Sequence, residues 1–135
     1  MKIVIDTNAI ISSLIRDGVS RKIIFNDFFD FITPEYTLIE INNHKSEIIK
    51  KINCSEAEFD ILVSFIFENI QIISSQEYEN YFEVAKDLIS DIDDVVFISL
   101  ALSSKADGIW SDDSHFFEQE QIKIFRTKEM VEFLN

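Results

Sequence analysis

A chain of 135 residues, 47% apolar and 27% charged, has the size of one domain and can bury a core without disulfides or a structural metal. Its two glycines, Gly18 and Gly108, stand far apart, which excludes the glycine-rich dinucleotide loop, the phosphate-binding loop, the nucleophile elbow and a hairpin-rich all-β fold. The single Cys54 excludes an internal disulfide or a cysteine-rich zinc site, and a net charge of −13 opposes unspecific binding of polyanions.

Met1 and Lys2 lead into Ile3, Val4 and Ile5, a run too short for a signal peptide and closed by Asp6. With the lone cysteine, this points to a reducing, cytoplasmic setting, and the apolar run 95–102 is too short to span a membrane. Ile3, Val4 and Ile5 read as a strand buried on both faces, as in a parallel sheet. Residues 9–14 read as helix, followed by a turn at Arg16-Asp17-Gly18 and a second helix over 19–29. Phe31-Ile32 is a short strand. Thr33 as N-cap and Pro34 in the first turn then predict a helix running to Lys51. Ser55 and Glu58 form a capping box ahead of a helix over 59–67, and 70–73 is an apolar, β-branched strand. Ser74 and Glu77 resemble a second capping box, for a helix to about Ile89. A nearly all-apolar, central helix is expected over 94–104, a strand at Ile109-Trp110, a short helix from Asp113, a strand over 122–125 and a terminal helix from Thr127.

Short apolar strands alternating with helices predict an α/β fold, a three-layer α/β/α sandwich with a short parallel sheet, over 1–135 as a single domain. Such sheets bind ligands beyond the carboxyl ends of their strands. Asp6 follows the first strand and Asp112 and Asp113 follow the fourth, so both sets belong on that edge. Asp91, Asp93 and Asp94 place three carboxylates at the start of the central helix, more than capping uses, and their repulsion calls for a cation. Glu40 lies two turns into its helix beside an apolar stripe. His44, one turn from Glu40, is placed to tune it, and His115, two residues past Asp113, to approach the site, but a surface histidine is the preferred reading of each.

Ile3 to Asn8, with Asp6-Thr7-Asn8 closing the first strand, resembles the opening of a PIN domain. The stretch from Thr33 to Glu40 resembles the family's second acid-bearing segment, the run from Asp91 to Leu102 its third, and Gly108 to Asp113 its last, with Ser111 in the Thr/Ser position. The resemblance covers nearly the whole chain and implies a metal-dependent ribonuclease in which Asp6, Glu40, Asp94 and Asp113 are the catalytic, metal-binding acids. Thr7, Asn8, Asp91, Ser111 and Asp112 would support them. The choice within Asp91, Asp93 and Asp94, and between Asp112 and Asp113, stays open at this point.

Oxygen ligands of this kind suit Mg²⁺ or Mn²⁺, with substrate phosphate completing the shell. An acidic pocket favours RNA that is single-stranded or looped. Small proteins of this kind resemble the toxin components of type II toxin–antitoxin pairs, which implies a homodimer and a basic antitoxin. A non-catalytic PIN-like binding module is the alternative. A receiver domain would need an Asp after the third strand, where Ser74-Ser75 stands, and a haloacid-dehalogenase-like phosphatase would need Asp at position 8, which is Asn8.

Overall fold

The computed structural model describes residues 1–134. Five strands, β1 (Lys2–Ile5), β2 (Asp30–Pro34), β3 (Ile70–Ile73), β4 (Gly108–Trp110) and β5 (Ile124–Phe125), form one sheet in the order β3-β2-β1-β4-β5. Every strand pair is parallel. Successive side chains of β1 alternate between the sheet's two faces. Ile3 and Ile5 enter one core with α1 (Thr7–Ile15), α2 (Val19–Ile24), α3 (Tyr36–Asn43), α4 (Lys45–Ile52), α5 (Glu56–Phe67) and the terminal helix. Val4 enters the other core with α6 (Phe82–Leu88) and α7 (Ile92–Ser104). The layers are therefore α/β/α, as the alternation of elements predicts. No helix among the described residues is long and apolar enough to cross a membrane.

Several element boundaries differ from those read in the sequence. Thr33 and Pro34 end β2 rather than start a helix. The Thr33 hydroxyl donates to the Ile5 carbonyl at 3.0 Å, and Glu35 N–H supplies the bond to the Ile73 carbonyl that proline cannot make. The helix predicted to reach Lys51 breaks at His44, which ends α3 and precedes α4. Asn42, Asn43 and His44 are weak helix formers in succession. The second helix stops at Ile24, because Asn26 turns the chain by accepting from Phe28 N–H at 2.9 Å.

Ser74 caps Gln76 N–H, not Glu77, and opens two short 3-10 turns before α6 begins at Phe82; Tyr78, 1% exposed, is buried between them. α7 starts at Ile92 with Asp91 as its cap, and a 3-10 turn (Ser114–Glu118) replaces the helix expected from Asp113. The last strand holds only Ile124 and Phe125, since buried Gln119 takes both backbone groups of Ile122. The terminal helix α8 (Thr127–Glu132) and the Ser55–Glu58 capping box form as predicted.

Gly108 is required where β4 passes β5. A Cβ there would lie 2.5 Å from Phe125 Cε2 and 2.7 Å from the Lys123 carbonyl oxygen, and the latter belongs to backbone that cannot yield. Gly108→Ala should therefore destabilise the chain by about 3 kcal/mol, the upper range of overpacking, read as a lowered midpoint in thermal or urea unfolding.

Candidate metal centre

The register Ile5↔Trp110 sets the last residue of β1 beside the last residue of β4, so Asp6 and Ser111 leave the sheet together. Asp6 N–H extends the ladder by one bond to the Trp110 carbonyl at 3.2 Å. Its side chain caps α1, accepting from Ala9 N–H at 2.8 Å through Oδ1, and its Oδ2 accepts from the buried Ser111 hydroxyl. Ser111 Oγ in turn accepts from Asp113 N–H at 3.0 Å, which ties the first acid to the last.

Asp94 lies in the first turn of α7, 9% exposed, and its Oδ2 is buried with no hydrogen-bond partner. Asp91 spends Oδ1 on capping Asp93 N–H at 2.9 Å, and Asp93 accepts from the Tyr36 hydroxyl at 2.9 Å, a bond that ties α3 to α7. Asp113 caps its own 3-10 turn through His115 N–H at 2.9 Å. Of the three acids at the start of α7, Asp94 is therefore the one with a buried, unengaged oxygen.

Glu40 reaches the same place from α3. Its Oε1 accepts from the Thr7 hydroxyl at 2.5 Å, and Thr7 stands 3.3 Å from Thr37, which meets Thr33 at 2.9 Å. This buried row of threonines crosses from β2 to α1 and fixes the direction of Glu40. An isolated reading of the helix stripe gives no hint of it, because the partners come from three different elements.

These acids surround a cleft of about 210 Å³ lined by Asp6, Glu40, Asp91, Asp94, Asp113 and His115, with Thr7, Asn8 and Asp93 also on its wall. Asp112 lies outside it. Both its oxygens face Thr127, at 2.8 Å from the amide and 2.6 Å from the hydroxyl, so Asp112 caps α8 and is separated from its neighbour by function as well as direction. His44 points away toward Glu47 at 3.4 Å.

His115 is exposed, as the sequence reading expects, and its ring also stands on the wall of the cleft, the approach to the site that its place after Asp113 allows. Its Nδ1 lies 3.6 Å from Asp113, 3.9 Å from Asp94 and 4.0 Å from Asp91. The usable signal was its position two residues after an acid at a strand end, where one tight turn brings it back over the cleft.

The electrostatics follow from burial. Desolvation, with Asp91 and Asp113 adding repulsion, pushes Asp94 up to about 7. Burial pushes Asp6 up to about 6 against the opposing hydrogen bonds from Ser111 and Ala9. Glu40 is raised in the same way, with the Thr7 hydroxyl holding it partly down and Asp93 pushing it up. Gathered carboxylates that resist ionising in this way lack a counter-charge.

A divalent ion fits what is present. One ligand atom each from Asp91, Asp94 and His115 lie within 4.8 Å of one another, close enough to share an ion. Carboxylate oxygens suit a hard cation such as Mg²⁺ or Mn²⁺, and an imidazole nitrogen is tolerated better by Mn²⁺. The unpartnered Asp94 oxygen is the strongest single argument, since a buried carboxylate without donor or cation costs several kcal/mol.

No curated protein gives a significant match to the chain. A family model described as PIN domain matches residues 4–133, nearly its whole length, and the acids of the cleft all lie within that span. The chain belongs to the PIN domain family.

Proposed function

We propose that the chain is a divalent-metal-dependent endoribonuclease that hydrolyses phosphodiester bonds of single-stranded or looped RNA. The observation that carries this reading is the buried, unpartnered Asp94 oxygen inside a ring of acids at the carboxyl edge of a PIN-family sheet. Asp6, Asp94 and Asp113 would hold Mg²⁺ or Mn²⁺; Asp91 and His115 are close enough to Asp94 to share an ion with it, and Asp6 and Asp113 line the same cleft. The ion, when bound, supplies a water of lowered pKa and positive charge against the phosphoryl oxygens.

Glu40 then accepts the proton of the attacking water. Its Oε1 is committed to Thr7, which leaves Oε2 for that proton, and its raised affinity for a proton favours the role of base. Ser111 holds Asp6 in a fixed rotamer and orients the following turn through Asp113 N–H. Asn8, exposed on the cleft wall, donates to substrate phosphate.

The same acids fit a basic protein segment, and the net charge of −13 favours such a partner. A type II toxin, cytoplasmic and paired with a basic antitoxin, is the biological setting this supports. The half-exposed Leu38 and Ile39 on α3 suit the homodimer such toxins would form.

Cleavage of a labelled unstructured RNA with Mn²⁺ and with chelator tests the chemistry. Asp113→Asn should slow cleavage about a hundredfold or more, as expected when several kcal/mol of charge stabilisation is lost. Asp112→Asn should keep cleavage within about twofold while lowering stability by about 1 kcal/mol through the weakened α8 cap. Metal binding without cleavage by the wild type would instead establish a binding module.

A further inference from the structure

We propose that a polar groove running from the acidic cleft along α1 to Arg16 is the track that carries the RNA strand away from the scissile bond. The inference rests on the nuclease reading and extends it to where the substrate lies. The groove consists of two cavities that continue the cleft. The first, about 290 Å³, shares Asn8 and Asp113 with the cleft and adds Ala9, Ser12, Ser20, Asp112 and Thr127. The second, about 320 Å³, shares Ser12 and Ser20 with the first, has Ile15 and Val19 on its wall and ends at Arg16 and Gly18.

The sequence builds this path by helical spacing. Asn8, Ser12 and Arg16 recur every fourth residue, so they line one face of α1 and the residue that caps it. Over eight residues the helix rises about 12 Å, the length of three to four stacked nucleotides at roughly 3.4 Å each. Hydroxyl and amide side chains contact phosphate and sugar without reading bases. The two added cavities have no aromatic residue on their walls, so the groove follows the backbone and tolerates sequence.

Arg16 is available for this purpose. It is exposed, and no ion pair among the described residues involves it. The nearby Arg21 is differently engaged, donating to the Ser13 carbonyl at 2.6 Å and lying 4.0 Å from Asp17. The stem of Arg16 passes over Gly18, where a Cβ would come within 3.2 Å of Arg16 Cδ. Any side chain at Gly18 would crowd the arginine. Asp112, an exposed acid on the wall of the first cavity, has both oxygens taken by Thr127, which leaves Arg16 as the charged group at the far end of the groove. A basic peptide fits the cleft but would meet Arg16 as a like charge at the far end, whereas a phosphodiester strand leaving the cleft gains a cation there.

The test is Mn²⁺-supported cleavage of a ten-nucleotide and a three-nucleotide RNA by wild type, Arg16→Gln and Ser12→Leu across a range of salt. Ser12 is an exposed helical position where leucine is a good helix former, so the groove can be filled without loss of fold. For the long RNA, Arg16→Gln should raise KM about fivefold near 0.1 M salt with kcat unchanged, and should flatten the log–log salt dependence of kcat/KM by about 0.7. Ser12→Leu should raise KM for the long RNA alone, and neither change should affect the short one. Unchanged KM in both variants, or equal losses on both substrates, overturns the groove while leaving the nuclease reading intact. A wild type that cleaves neither RNA overturns both.

Discussion

Asp94→Asn is expected to make the metal-free protein more stable and to abolish its response to metal. In the wild type, Mn²⁺ at about a hundred times its dissociation constant should add roughly 2.7 kcal/mol, which is a rise of about 10 °C in Tm for a domain of this size. Asp94 supplies the one buried side-chain oxygen that lacks a partner among the described residues. Replacing it with an amide removes a charge that Asp91 and Asp113 repel, while the side chain keeps its shape. Thermal unfolding of both proteins with chelator and with Mn²⁺ reads both effects at once. A mutant that responds to Mn²⁺ as the wild type does would place the ion elsewhere or nowhere, and the acids would then be caps alone.

Between pH 5 and pH 8 the metal-free wild type should become less stable. Asp6 and Asp94 bind protons more tightly folded, at about 6 and about 7, than the ordinary carboxylate value of 3.8 that applies unfolded. In that window the native state holds more protons than the unfolded one, so stability falls as pH rises and is fully recovered only below the unfolded value. The fall in Tm is of order 10 °C, and it should shrink in Asp94→Asn and with saturating Mn²⁺. A metal-free Tm that is flat or rises from pH 5 to pH 8 would show that these carboxylates are solvated. Taken with the first result, the sign of this slope separates a site assembled for a cation from acids that merely crowd a helix end.

The α/β/α architecture was legible because its signals are local: β-branched runs for the strands and helical spacing between them. The end of the sheet at which the acids gather was legible too, since a parallel sheet has one carboxyl edge and Asp6 and Asp113 follow strands. The misread boundaries share another cause. Thr33 and Ser74 carry side chains that cap helices in isolation, but here a neighbouring strand or turn claims them. The break at His44 was written in three weak helix formers, yet it was outweighed by the apolar stripe on either side.

Within the cleft, residue type showed that an acid was present but not which oxygens were free. Asp112 and Asp113 are adjacent and chemically identical. Only the position of Thr127, brought close by β5 and α8, commits one of them to capping. The same holds for Asp93, which Tyr36 claims from across the cleft. His115 is a surface histidine as read, but its relation to Asp91 and Asp94 spans more than twenty residues of chain and lies beyond local spacing.

Three of the cleft's acids, Asp6, Asp91 and Asp113, are also the residues that begin α1, α7 and a 3-10 turn. Each gives one oxygen to an amide of its own first turn, at 2.8 to 2.9 Å, so the start of that turn fixes the carboxylate's direction, and in Asp6 the other oxygen is held by the Ser111 hydroxyl. Fraying of any of those turns would also release the direction of an acid that faces the cleft, so the order of the cleft and the order of three helix starts are one property. A cation held there would be steadied by three separate chain segments rather than by any one gate.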